Sequence, residues 1–279
     1  MRLIFLAFFI GAATAAAASE PPDARAAYVE RRGLLAADEQ CGLFTGEIRS
    51  ALNISLAQAR GTLLRAGWTN ASMGELERAA VGAAQARACG DPRTASAAAD
   101  ARHAFASWAN AGSMDFPGWR RSWRARRVAD QTGWRLSQQI DAPAAATFGV
   151  REHAGAQRLS FALQLARNQT APASARLIMR DGARAAMREV GLTQRMSQGL
   201  EAGLPPPGAE RAITATRSTE RIQGRTFAVF TFADTAFRDL LALDPRESVE
   251  ILIQDGRAEQ RYFVEVGDIA AARGFLALY

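Results

Sequence analysis

The chain has 279 residues, with 34 basic and 28 acidic side chains, two histidines, two cysteines and a formal charge of +6 at neutral pH. Every one of the 34 is arginine, which excludes chemistry built on a lysine amine: Schiff-base aldolases, pyridoxal-phosphate enzymes, the P-loop lysine and the ATP lysine of kinases. A hydrophobic share of 48% and a charged share of 22% belong to a globular chain and not to a disordered one.

Met1-Arg2, an apolar run from Leu3 to Ile10 and a small-residue tail ending at Ala18 have the layout of a secretory signal peptide, with cleavage expected after Ala18. The apolar run is too short to span a bilayer and no later segment approaches that length, so no transmembrane segment is expected in the mature chain. No cysteine sits at the cleavage point, so no lipid anchor is indicated. Arginine in place of all lysine, with abundant alanine, fits GC-rich bacterial coding. The expected location is therefore the periplasm or the medium, and the sequons at Asn53, Asn70 and Asn168 read as chance. In an oxidising compartment Cys41 and Cys89, the only pair, are expected to form a disulfide. Closing that loop stabilises by roughly 4 kcal/mol at the upper end.

Residues 19–115 read as a helical domain. Phe44, Ile48, Leu52, Leu56 and Leu63 form one apolar stripe on a long or broken helix that ends at Ala66-Gly67. Ser72-Met-Gly-Glu75 reads as a capping box opening a second helix, and Asp91-Pro92 as the N-cap and first position of a third, which stops before Gly112. The disulfide then ties the start of the first helix to the end of the second.

After Gly133 the pattern changes to strands: Trp134–Ile140, Thr147–Glu152, Arg158–Leu165, Ala175–Arg180, Ala212–Ser218, Arg225–Phe232, Ser248–Gln254 and Gln260–Val266. Asp181-Gly182 and Asp255-Gly256 read as tight hairpin turns. Asp234 and Asp268 are placed to cap two short helices, one bearing Phe237, Leu240 and Leu241, the other Ile269, Ala272 and Leu276. The fold class is thus α+β: a disulfide-pinned N-terminal helical domain, then an antiparallel β-rich domain with short helices over 133–279. Aligning the two Asp-Gly turns puts Ser174 on Ser248 and Leu177-Ile-Met on Ile251-Leu-Ile; Glu189-Val-Gly191 then falls near Glu265-Val-Gly267. Two readings are open: an internal duplication with halves 133–203 and 209–279, divided at Leu204-Pro-Pro-Pro-Gly208, or the default similarity of hydrophobic strands.

The search for chemistry returns absences. Nucleophile-elbow, zincin, Walker and dinucleotide-binding motifs do not occur, and His103 and His153 stand apart from any cysteine or carboxylate cluster, so no catalytic residue, metal ligand or cofactor is assigned. One segment, residues 116–132, is rich in arginine and tryptophan. Trp119, Arg120, Arg121, Trp123, Arg124, Arg126 and Arg127 occupy nine residues without an acid. On a helix, Arg120, Arg124 and Arg127 would share a ridge beside the two indoles. Guanidinium forks match phosphate and carboxylate oxygens, and indole faces accept cations, so these seven are the candidate ligand-binding residues. The alternative is a basic connector between the domains, its tryptophans anchored and its charges neutralised by scattered acids. Nucleic acid is not expected, because no recognition motif accompanies the modest excess of charge.

From Phe237 to Leu278, a helix, the strand Val249–Ile253, the Asp255-Gly256 turn, a second strand and the closing Gly267-Asp-Ile-Ala-Ala-Ala-Arg-Gly-Phe-Leu-Ala-Leu resemble the C-terminal part of the invasion-associated locus B family of exported bacterial proteins. The resemblance implies an envelope role. That family's β domain generally carries cysteines, whereas Cys89 is the last here, so no site residue is transferred. The expected function is a non-catalytic envelope binding or interaction protein recognising an anionic lipid or polymer. The alternatives are an envelope-polymer hydrolase and a structural partner of another periplasmic protein. Because the chain lacks lysine, an amine-reactive label is expected to modify the mature protein once, at its N-terminus. N-terminal sequencing should read Ser19-Glu20; a start elsewhere moves the cleavage point.

Overall fold

The computed structural model describes residues 24–182 and 199–278. The expected signal peptide and the Glu189-Val-Gly191 match lie outside the described residues. Four helices come first: α1 (Ala24–Cys41), α2 (Gly46–Arg65), α3 (Asn70–Gln85) and α4 (Pro92–Ala109). The apolar stripe read as one long or broken helix belongs mainly to α2, and the break falls at residues 42–45. There Asp38, 2% exposed, accepts from the Phe44 amide at 2.8 Å and from Arg49, turning the chain through a corner. The end of α2 is a glycine-capped Schellman turn as expected: Trp68 N donates to Leu63 O, and Gly67, at φ +94°, donates to Leu64 O. The capping box of α3 falls three residues earlier than read, between Thr69 and Ser72, while Asp91 and Pro92 open α4 as expected. Cys41 and Cys89 are bonded, joining the end of α1 to the α3–α4 loop.

Strands begin earlier than expected. β1 (Ser113–Pro117) and β2 (Ser122–Arg126) form an antiparallel hairpin directly after α4. β3 (Trp134–Ile140), β4 (Ala146–His153), β5 (Ala156–Gln164), β6 (Ser174–Arg180), β9 (Arg225–Thr231), β10 (Ser248–Asp255) and β11 (Ala258–Glu265) follow the sequence reading to within a few residues. The expected strand Ala212–Ser218 is two strands, β7 (Glu210–Thr214) and β8 (Thr216–Ile222), because the chain passes at Ala215 from one sheet to the other. Helices α5 (Asp234–Leu241) and α6 (Ile269–Ala277) occupy the expected places, and Leu200–Gly203 form a short 3₁₀ turn. The fold is α+β, with every strand pairing antiparallel.

One sheet has the order β1-β2-β3-β4-β5-β9-β8 and the other β11-β10-β6-β7. Alternation along each strand sends Leu136, Phe148, Phe161 and Phe230 of the first sheet, and Leu177, Ile251, Tyr262 and Val264 of the second, into one core. α5 and α6 add Leu240, Ile269 and Phe275 to it. One of the two Asp-Gly pairs marks a tight hairpin, Asp255-Gly256, with the loop one residue later than read; the other does not. β6 does return into the adjacent β7, but Arg180 pairs with Glu210, so residues 181–209 separate the two strands and Asp181-Gly182 is not a two-residue hairpin turn. At the β10–β11 hairpin the last pair is Asp255↔Ala258, which leaves Gly256-Arg257 as the loop with Gly256 at φ +60°. The turns with left-handed backbone at both central positions are Ala154-Gly155 and Gln223-Gly224.

The strand order carries an internal two-fold pattern. The segments β4-β5-β9-β8 and β11-β10-β6-β7 are each palindromic in the succession of hairpins. Phe161 pairs with Phe230, and Leu177 pairs with Ile251. The separation of the first pair, 69, equals that of the turn glycines Gly155 and Gly224, while the second pair is 74 apart, as for the Asp-Gly turns. The strand pairings are thus symmetric between β4–β7 and β8–β11. Ala215 lies between β7 and β8, and Leu204–Gly208 between β6 and β7.

The helices seat on the sandwich through α2. Gly61 passes so close to the end of α5 that an added Cβ would lie 1.6 Å from the Ala242 carbonyl oxygen, and Gln58 donates to Gly267 O at 3.2 Å. Cys41→Ser/Cys89→Ser is expected to lower unfolding free energy by up to about 4 kcal/mol, read as a lower urea midpoint at unchanged slope. A midpoint equal to that of the parent would show that the helices hold without the bridge.

Candidate functional site

The arginine- and tryptophan-rich segment is a hairpin and not a helix, for a reason visible in its own residues. Phe116 pairs across from Trp123, and Trp123, Ala125 and Arg127 alternate inward while Ser122 and Arg124 face out. Sequence reasoning weighed helical spacing and missed this period of two. The expected ridge of Arg120, Arg124 and Arg127 consequently does not form. Arg124 is exposed, whereas Arg127 is 5% exposed and spans the base of the hairpin. Its guanidinium donates to Trp108 O at 2.9 Å, Ala111 O at 2.8 Å and Leu278 O at 3.1 Å, and lies 4.6 Å from the Phe275 ring centroid. This arginine holds α4, β1 and the end of α6 together.

The hairpin tip does bind an anion, and it is the protein's own. The Glu265 carboxylate, wholly buried at the end of β11, accepts from the amides of Trp119, of Arg120 at 2.9 Å and of Arg121 at 3.0 Å. Three successive N–H groups on one carboxylate make a backbone nest. Gly118 lets the carboxylate approach, since a Cβ there would lie 2.7 Å from Glu265 Cδ. The Glu265 main chain is held too: Gln138 accepts from its N–H at 2.8 Å and donates to its carbonyl at 3.1 Å, and the Trp123 indole N–H reaches Val266 O at 2.9 Å. Arg121 donates to Phe263 O. Trp123, wholly buried, is thus a structural anchor.

What the hairpin presents outward is narrower than the seven residues named from sequence. Arg120 lies over the Trp119 ring, 4.4 Å from its centroid. Arg124 makes a forked pair with Asp115, and Arg126 pairs with Asp130 at 3.4 Å. Two shallow clefts flank the tip. One, of about 400 Å³, is lined by Arg121, Arg124, Arg126, Asp115 and Asp130 among others. The second, of about 300 Å³, is lined by Arg120, Arg121, Arg261 and Glu201. Arg121 lines both. His103 and His153 are exposed and distant in the chain, and among the described residues no group of metal-ligating side chains converges.

A second charged cluster escaped sequence reasoning because its members are far apart in the chain. Glu247, 1% exposed, meets Arg180 of β6, whose Nε lies 3.1 and 3.0 Å from its two oxygens, and Arg65 of α2 at 3.2 Å. Burial pushes its carboxyl up to about 6, against the downward pull of Arg180 and Arg65. The cluster borders a cleft of about 440 Å³ that also touches Arg60, Arg211 and Asp239.

The chain matches no protein-family model, no curated protein and no solved structure. Among the described residues, no helix is long and apolar enough to cross a membrane.

A buried acid whose pKa lies above its unfolded value of 4.5 binds its proton more tightly in the native state. Its contribution to stability therefore grows as pH falls through about 6 toward 4.5, by up to about 2 kcal/mol for a rise of this size. Urea unfolding of the wild type and Glu247→Gln is expected to show the wild type gaining on the variant between about pH 7.5 and pH 4.5. A constant difference would mean that burial does not shift this group.

Proposed function

We propose that the chain is an exported, non-catalytic binding protein of the bacterial envelope that presents the β1–β2 hairpin to an anionic lipid or polymer. The observation that carries this reading is the charge of the two clefts. Arg120, Arg121, Arg124, Arg126 and Arg261 line them against the carboxylates Asp115, Asp130 and Glu201, and Arg261 also pairs with Glu250 at 3.1 Å, which leaves five guanidinium groups against four acids. The pairs of Arg124 with Asp115 and Arg126 with Asp130 are partly exposed, and surface pairs of this kind contribute about 0–1 kcal/mol. A phosphate-bearing ligand exchanges into them at little cost. The disulfide and the expected leader agree with export.

The quadruple variant Arg120→Gln/Arg121→Gln/Arg124→Gln/Arg126→Gln tests the reading and leaves the buried Trp123 and Arg127 in place. Wild-type protein is expected to cosediment with vesicles containing anionic phospholipid at low salt, with binding falling as salt is raised. The variant should bind at least about tenfold more weakly with unchanged circular dichroism. Equal binding by the two proteins removes the hairpin from the function.

A second reading, hydrolysis of an envelope polymer, is supported by one feature, the buried Glu247 beside its cleft. It is the weaker one, because Arg65 and Arg180 already engage both carboxylate oxygens. Release of soluble fragments from purified envelope polymer by the wild type, and its loss in Glu247→Gln, would reverse the preference.

A further inference from the structure

A separate cleft of about 240 Å³ opens where the helical layer meets the sandwich, between α1, α2, the loop after α5 and the start of α6. Its polar lining includes Arg31, Ser55, Gln58, Thr62, Arg246 and Asp268. Most of these are already engaged. Arg246 holds Asp244 with a forked pair at 3.0 and 2.8 Å, Gln58 donates to Gly267 O, and the Thr62 hydroxyl donates to Gln58 O at 3.2 Å.

Two charges are left over, of opposite sign. Asp268 stands at the N-cap of α6, but its carboxylate makes no capping hydrogen bond, and among the described residues it has no ion-pair partner. Arg31 reaches only Ser55 O, at 3.4 Å, and among the described residues meets no carboxylate within ion-pair distance. A guanidinium offers five N–H donors, so most of its capacity is unused. Burial raises the Asp268 carboxyl, aided by the nearby Glu265, and burial holds the Arg31 guanidinium below its ordinary value. Both directions are those of charges partly removed from water, outweighing for Arg31 the opposing pull of Glu30. A half-buried charge of either kind lowers the stability of the empty protein, and a ligand that brings both opposite charges relieves the two together.

We propose that this cleft binds a small zwitterion, a free α-amino acid, with its ammonium on Asp268 and its carboxylate on Arg31. The cleft is below the roughly 300–1,000 Å³ of sites for drug-sized ligands, so the occupant is small. Apolar wall comes from Ala24, Ala27, Ala59 and Ala271, which leaves space for a modest side chain and supplies no further charge. The site lies on other elements than the hairpin, and the two proposals stand or fall separately.

Isothermal titration of the full chain with glycine, L-alanine, L-leucine and L-glutamate provides the test. N-acetyl-L-alanine, which lacks the ammonium, and L-alaninamide, which lacks the carboxylate, serve as single-charge controls. At least one free amino acid is expected to bind, with both controls and the variants Asp268→Asn and Arg31→Gln weaker by about tenfold or more, the loss of one charged hydrogen-bonding partner. Ala271→Phe, which fills the cleft and keeps both charges, should also abolish binding, and it keeps the test open if a charge variant fails to fold. No binding of any amino acid at millimolar concentration overturns the proposal. So does binding of the N-acetyl or amide control as tightly as the free amino acid, or binding that survives in Ala271→Phe.

Discussion

The sandwich closes on a single buried carboxylate. On one side of the two sheets the chain itself carries across, from β7 through Ala215 to β8. On the other side no strand pairing joins β11 to the first sheet, and side chains take over. Gln138 bonds the main chain of Glu265 in the manner of a neighbouring strand, and the Glu265 carboxylate gathers three amides of the β1–β2 tip. Burying an ionised group is costly unless its lone pairs are filled, and charge-assisted bonds from backbone amides are among the stronger ways of filling them. With the carboxylate in place, the hairpin lies against β11, Trp123 enters the core beside Phe148, and Arg120 and Arg121 are presented at the rim.

Arginine does similar work elsewhere. Arg127 gathers three carbonyls at the base of the same hairpin, and Arg65 and Arg180 approach Glu247 from the helical layer and from β6. The planar fork with several donors suits these tasks in a way that an ammonium does not, because one guanidinium holds several acceptors in fixed directions while its stem packs on apolar neighbours. Such buried clusters specify a geometry more than they add net stability. The junction of the helices with the sandwich shows the same economy of contact: Gly61 admits the Ala242 carbonyl, and α6 packs on α2 while its Phe275 belongs to the main core.

Much of the fold was legible because local chemistry repeats with the period of the element it forms. Trp134–Ile140 and Ser248–Gln254 alternate or run apolar as strands do, Asp91-Pro92 opens a helix, and Gly67 closes one. The hairpin of residues 113–126 was hidden by its composition. Four of the five residues between Arg120 and Arg124 are charged or aromatic, and their types suggested a surface ridge before their alternation was considered. The symmetry of pairing between β4–β7 and β8–β11 joins strands far apart in the chain, so the Asp-Gly turns by themselves do not show it.

The sequence by itself determined the α+β order, the helical start, most strand positions and the single disulfide, because propensity, capping and hydrophobic period act within a few residues. It also named the residues of the arginine and tryptophan segment. Only the tertiary structure decided their roles, separating the buried Trp123 and Arg127 from the outward Arg120, Arg124 and Arg126. Which acid meets which base depends on chain segments far apart: Glu265 meets the hairpin tip from more than a hundred residues away, and Arg31 and Asp268 share a cleft from opposite ends of the chain. Such long-range pairings leave no periodic trace, so they become readable only once the core has folded.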